Sequence, residues 1–126
     1  MTKSIVLAED DRFLRRACET KLKQRGFDVR VAVDGEEALA MVRERMPDLL
    51  LLDLLIPKLD GLAVLEALKA DEATRGIRVV NMSNSSREFE VKKASTLGAV
   101  DYWIKSNLSL QEISDRVERL LAEPPA

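Results

Sequence analysis

The sequence predicts an α/β fold: a doubly wound, five-stranded parallel sheet with five helices. Three observations predict it. Short apolar runs alternate with amphipathic, helix-length segments along all 126 residues. That alternation is the pattern of βαβ units, which build a parallel sheet covered on both faces. The run Leu49-Leu50-Leu51-Leu52 is unbroken, as in a strand buried on both sides. Helix stops and starts punctuate the segments: Gly26, Pro47, and Ser109 with Glu112. Right-handed crossovers then connect the strands.

The elements follow in order. Residues 4–8 read as a first strand, and residues 12–25 as a helix with Leu14, Ala17, Cys18 and Leu22 on one face. Gly26 suits a left-handed position just past that helix. Residues 27–32 are a second strand. Asp34, with Glu37 three residues later, opens a helix that runs to about Arg45 with Ala38, Leu39 and Val42 inward, and Pro47 ends it. Residues 49–53 form the third strand, and residues 61–70 a helix with Leu62, Leu65 and Leu68 inward. Residues 77–82 are the fourth strand. Residues 87–97 are a polar, marginal helix, and 100–104 the fifth strand. A capping box at Ser109 and Glu112 opens the last helix, which reaches about Ala122 and carries Ile113, Val117, Leu120 and Leu121. One domain over 1–123 is expected, with 124–126 a tail or the stub of a linker.

Composition removes several classes of function. A net charge of −2 gives no bulk electrostatic reason to bind nucleic acid or an anionic membrane. The longest apolar runs fall far short of the roughly 20 residues a bilayer span needs. The N-terminal residues lack a signal peptide's apolar region, so a cytoplasmic location is expected. Cys18 is the one cysteine, which rules out an intrachain disulfide and reads as a buried, inert thiol. With no histidine in the chain, zinc sites of the His/Cys type and Ser-His triads are excluded.

In open α/β sheets, ligands bind at the C-terminal edge of the strands. The first strand delivers Glu9, Asp10 and Asp11 to that edge, and the third delivers Asp53. The fourth brings Ser83 and the fifth Lys105. Clustered carboxylates repel one another unless a cation lies between them, and the natural occupant is a hard divalent ion such as Mg²⁺. A carboxylate in such a setting can also attack phosphorus, with metal, hydroxyl and ammonium stabilising the phosphoryl oxygens. Asp11 has a second reading as a helix N-cap, and Asp60-Gly61 as a simple turn. Tyr102 and Trp103 read as sheet residues on opposite faces.

Together these residues resemble a bacterial response-regulator receiver domain, the CheY-like module of two-component signalling. Glu9-Asp10, Asp53, Pro57 with Asp60-Gly61, Ser83, Gly98-Ala99, Tyr102 and Lys105 carry the resemblance, over essentially the whole chain. The resemblance implies a flavodoxin-like strand order of 2-1-3-4-5. It implies that Asp53 is the phosphoacceptor, loaded from a phosphohistidine of a sensor kinase or phosphotransfer protein. Asp10 would bind Mg²⁺ directly, Glu9 mainly through water, and Asp53 and the backbone carbonyl of Leu55 would complete the protein ligands. Lys105 would pair with the phosphoryl group, and Ser83 would hydrogen-bond it. Ser83 and Tyr102 would form the switch, acting on a partner surface of the fourth helix, fifth strand and fifth helix.

Several positions depart from the family pattern. Lys105 is followed by Ser106 where the family has proline with a cis bond. A cis bond without proline costs about 3 kcal/mol, so a trans or rearranged loop is expected. Asn84 replaces a small residue and would narrow access to Asp53 or bond the phosphoryl group. The hydrolysis-tuning positions are Leu55 and Ser85, neither acidic nor amide-bearing, which predicts slow phosphoryl loss.

Self-catalysed phosphotransfer with slow autodephosphorylation, rather than turnover as an enzyme, is the expected activity. No DNA-binding segment follows the last helix, so the expected output is binding of a downstream protein, onward phosphotransfer or a phosphorylation-linked homodimer. A degenerate receiver acting as a constitutive interaction module is the alternative. A phosphatase with an aspartate nucleophile is a third class, disfavoured because its second aspartate would fall at Leu55.

Overall fold

The computed structural model describes residues 2–84 and 87–122. The elements run β1 (Ser4–Ala8), α1 (Arg12–Gln24), β2 (Asp28–Ala32), α2 (Gly35–Glu44), β3 (Leu49–Asp53), α3 (Gly61–Ala70), β4 (Val79–Ser83), α4 (Glu88–Thr96), β5 (Asp101–Ile104), a 3₁₀ turn (Lys105–Asn107) and α5 (Leu110–Ala122). All four strand pairings are parallel, in the order β2-β1-β3-β4-β5. This is the doubly wound topology expected from the sequence. None of the helices described is long and apolar enough to cross a membrane.

The period-2 alternation of strand side chains divides the core into two halves. Val6, Ala8, Leu50, Leu52 and Val79 pack toward α2, α3 and α4. Ile5, Leu7, Leu49, Leu51, Val80, Met82 and Trp103 pack toward α1 and α5. Every residue of β3 is buried, as its unbroken apolar run requires. A buried leucine contributes about 2–3 kcal/mol by leaving water, so β3 is a firm base for the residues at its C-terminal end. Tyr102 joins the first half and Trp103 the second, on opposite faces as expected. Cys18 is a free thiol buried against α5's side of the sheet, and burial pushes its pKa up to about 11.

Some boundaries differ from the sequence reading. β4 covers Val79–Ser83 rather than 77–82. Ile77 is buried but belongs to the preceding loop, where its N–H donates to the Thr74 carbonyl at 3.0 Å. Ser83 pairs with Ile104 and so lies inside the sheet rather than after it. In α3 Leu65 and Leu68 face the core as expected, with Val64 rather than Leu62 completing that face and Leu62 only partly covered. In α2 Leu39 is likewise partial, and in α5 Ser114 is buried while Leu120 is partial. Elsewhere α1, α2, β2, α4 and β5 end within one residue of the expected positions.

The caps hold as read. Asp11 Oδ1 accepts from the N–H groups of Phe13 and Leu14 at 2.9 and 3.1 Å, so Asp11 is the N-cap of α1. Asp34 Oδ1 accepts from Glu37 N–H at 2.8 Å. Ser109 and Glu112 exchange both bonds of a capping box at 3.1 Å. Gly26 has φ of 92°, a conformation that favours glycine. The 124–126 tail lies outside the described residues.

Asp60 and Gly61 form more than a turn. Asp60 Oδ1 caps α3 through Ala63 N–H at 2.9 Å, and Gly61 N–H donates to the Leu54 carbonyl at 2.9 Å. A Cβ on Gly61 would lie 2.5 Å from the Asp53 carbonyl oxygen and 2.7 Å from Leu54 Cα. The start of α3 is therefore seated directly on the end of β3. Gly61→Ala is expected to lower stability by about 1–3 kcal/mol in urea unfolding, because backbone must move to admit the methyl group. An unchanged midpoint would contradict this close approach.

Candidate functional site

Register assembles the site. Ala8 pairs with Leu52, so the next residues, Glu9 and Asp53, come out side by side. Glu9 N–H donates to the Ala32 carbonyl at 3.1 Å, which carries the ladder one residue past β1. Both carboxylates follow residues that point toward α2 and α3, so their own parity is that of the α1–α5 side, and both are buried, Glu9 at 0% and Asp53 at 3% exposure. Lys105 follows Trp103 by two positions and continues the same parity. Its ammonium donates to Glu9 Oε1 at 2.9 Å and to Asp53 Oδ2 at 3.0 Å. Asp10 is exposed at the mouth, and one carboxylate oxygen from each of Glu9, Asp10 and Asp53 lies within 4.8 Å of the others.

The remaining polar contacts fix the two acidic loops. Glu9 Oε2 accepts from Asp11 N–H at 3.1 Å. Asp53 Oδ1 accepts from Leu55 N–H at 3.1 Å, while the Leu55 side chain is 72% exposed. Burial pushes the Glu9 carboxyl up to about 7. The Lys105 hydrogen bond opposes that rise, the Asp53 charge adds to it, and the Asp11 N–H opposes it. Burial acts against the Lys105 ammonium, but its bonds to Glu9 and Asp53 and their charges outweigh it and raise its pKa.

Lys105–Ser106 is a trans bond, as the absence of proline suggested. The chain then enters the 3₁₀ turn, where Leu108 N–H donates to the Lys105 carbonyl at 3.2 Å. Lys105 reaches both carboxylates through this trans connection. Asn84 is exposed and lines a shallow opening beside Lys105, Ser106, Asp11, Phe13 and Leu14. Ser85 lies outside the described residues.

Ser83 and Tyr102 stand apart from the charged group. Ser83 shares the parity of Val79, so it faces the α2–α3–α4 side, as Tyr102 does. The two side chains share a hydrogen bond. Burial raises the Tyr102 pKa, the Ser83 bond opposes that, and the charges of Glu90 and Asp53 add to it. Ser83 is almost fully buried and Tyr102 partly so.

At this edge the sequence marks Gly61 only as part of a turn and a family motif, and it does not single out Arg15. Gly61 abuts the backbone of Asp53, and Arg15 donates from Nη1 to the carbonyls of Glu9 and Asp10 at 3.0 and 3.3 Å. The sequence signal for Arg15 is weak but real. α1 has no acidic residue in its first turn, where the helix dipole favours one.

The model for the response regulator receiver domain matches residues 5–118. The chain belongs to the response regulator receiver domain family. It is thus a receiver of the two-component class. The chain is 33% identical over 121 residues to the alkaline phosphatase synthesis transcriptional regulatory protein PhoP of Bacillus subtilis, covering 96% of this chain and 49% of that protein. It spans about half the length of several of the curated relatives it matches. The phosphorylated cyanobacterial phytochrome response regulator RcpA superimposes with a TM-score of 0.82 at 32% identity, over 95% of this chain and 91% of RcpA. The chemotaxis response regulator CheY4 of Vibrio cholerae gives a TM-score of 0.87 at 18% identity, over 95% and 99% of the two chains, and supports the CheY-like fold alone.

Removing the ammonium leaves two adjacent buried carboxylates without their cation. Lys105→Met is expected to destabilise the receiver by about 3 kcal/mol at neutral pH. Urea unfolding of the variant beside the parent protein measures this, and equal stability would mean that the ammonium does not balance the pair.

Proposed function

We propose that the receiver takes a phosphoryl group onto Asp53 from a phosphohistidine of a sensor kinase or phosphotransfer protein, with Mg²⁺ as cofactor. The observation that carries this reading is the convergence of buried Asp53 with Lys105 at 3.0 Å and with Glu9 and Asp10 at one strand edge. The donor set fits a hard cation, since it offers carboxylate oxygens and the chain has no histidine. Glu9, Asp10, Asp53 and the Leu55 carbonyl would hold the ion. Bound there, Mg²⁺ would neutralise charge on the phosphoryl oxygens.

An Asp53 carboxylate oxygen attacks phosphorus, and a new O–P bond forms. The P–N bond to the donor imidazole breaks, and its electron pair stays on that nitrogen, which takes up a proton. Lys105, already bonded to Asp53, is in reach of an incoming phosphoryl oxygen and offsets its charge. Leu55 supplies no acidic or amide group to orient water, so hydrolysis of the acyl phosphate is slow.

The added charge of about −1.5 to −2 draws the Ser83 hydroxyl toward a phosphoryl oxygen. Because Ser83 and Tyr102 interact through their hydroxyl groups, recruiting Ser83 changes the contacts of Tyr102. Tyr102 then changes position on the face of α4, β5 and α5, where Phe89 and Val100 are exposed. That face is the output surface, binding a downstream protein or a second receiver. Such a ligand-like modification shifts the equilibrium only through contacts that differ between states, and the Ser83–Tyr102 bond is one.

Incubation with acetyl phosphate and Mg²⁺ should add the mass of one phosphoryl group, and Asp53→Asn should abolish the gain. An intact protein without any adduct would instead favour a constitutive interaction module. The same mass measurement over time should give a half-life of minutes or longer. Decay within seconds would overturn the slow-hydrolysis reading of Leu55.

A further inference from the structure

Arg15 occupies a position that helix energetics alone disfavours. Arg12, Arg15 and Arg16 all fall in the first turn and a half of α1, near the positive end of the helix dipole. Cations there cost rather than add stability. A residue that breaks a local rule in this way calls for a compensating contact. Arg12 and Arg16 are exposed, whereas Arg15 is half-buried.

Its contacts supply the reason. Side chains on a helix lean back over the preceding turn, and Arg15 leans over the loop that leaves β1. Nη1 donates to the carbonyl oxygens of Glu9 and Asp10, the two acidic residues that open the cluster. Arg15 N–H also donates to the Asp11 carbonyl at 2.9 Å, which anchors the helix turn from which the guanidinium reaches. The peptide planes of residues 9 and 10 are thereby set from behind. Their orientation decides whether the Glu9 and Asp10 side chains face Asp53 together.

We propose that Arg15 is a positioning residue for divalent cation binding, acting through the Glu9 and Asp10 backbone rather than by touching the ion. This rests on the reading of Glu9, Asp10 and Asp53 as the Mg²⁺ ligands. Groups behind the ligands commonly set metal affinity, and their loss typically costs about 10–100-fold. The sign of the effect is diagnostic. Deleting a nearby cation should tighten Mg²⁺ binding if charge alone mattered, because one repulsion disappears. Loss of positioning weakens it.

The test is calorimetric titration of MgCl₂ into the unphosphorylated protein. Arg15→Met keeps an apolar stem and should bind Mg²⁺ about 10–100-fold more weakly than the parent. Arg12→Met removes an equal charge from the same helix without touching the loop, and should bind as tightly as the parent or tighter. Unchanged or tighter binding by Arg15→Met overturns the proposal, as does an equal loss in Arg12→Met. If Arg15→Met does not fold, Arg15→Lys serves in its place. Lysine keeps the charge but puts a shorter, freely rotating ammonium where Nη1 bridges the two carbonyls, and a loss of about tenfold is expected, with parental affinity overturning the proposal. A parent protein that binds no Mg²⁺ would defeat the ligand reading itself, a different result from parental binding that survives in the Arg15 variants.

Discussion

Everything at this strand edge depends on one ammonium held between two buried carboxylates. Glu9 and Asp53 emerge side by side because Ala8 and Leu52 are paired. At an effective dielectric near 20, two unit charges about 3–4 Å apart interact by about 4–6 kcal/mol. Lys105 contributes two such attractions, to Glu9 at 2.9 Å and Asp53 at 3.0 Å, against one repulsion between the acids. Desolvation costs several kcal/mol per buried ion and absorbs much of that gain. The triad is therefore balanced rather than strongly stabilising. The Glu9 pKa near 7 expresses the same balance, since burial leads and Lys105 only partly answers it. A site in this condition accepts added positive charge, or a rearrangement of Lys105 toward a new anion, at little cost.

The sheet separates this charged group from the hydroxyl pair. Glu9, Asp53 and Lys105 share the parity of Leu7, Leu51 and Trp103, on the α1–α5 side. Ser83 and Tyr102 share the parity of Val79, on the opposite side. Asp53 pairs with Met82, and Ser83 is the next residue of β4. Only one strand end therefore lies between the Asp53 carboxylate and the hydroxyl pair.

The sequence made the sheet and the carboxylates legible because both rest on strong local signals. Four leucines in a row, too few for a helix and preceded by Pro47, read as a strand buried on both faces, and β3 has the boundaries that run implies. Capping residues fixed the helix starts just as directly. The β4 boundary was harder, because Ile77 is as apolar as the strand it precedes. Helix faces slipped where several leucines or valines compete, as with Leu62 and Val64 in α3. The close approach of Gly61 and the role of Arg15 were beyond reach for a different reason. Their contacts are with backbone atoms of other segments, and backbone leaves no side-chain pattern to match.

β4 is also the strand whose polar groups are least settled. Asn81 is wholly buried between Leu52 and Tyr102 in the register, two residues before Ser83 on the same face. Its amide donates to the Leu52 carbonyl across 3.4 Å, near the limit for a hydrogen bond, and its Oδ1 has no partner among the described residues. A buried carbonyl left unpaired costs about 1–3 kcal/mol relative to one that is bonded. Such a cost is of the size that separates two states of a switch, where a few kcal/mol decides which is populated. The strand that carries Ser83 thus begins closer to rearrangement than β3, whose leucines are fully buried among apolar neighbours. The asymmetry places the firmer packing under Asp53 and the less settled polar groups in the strand beside it.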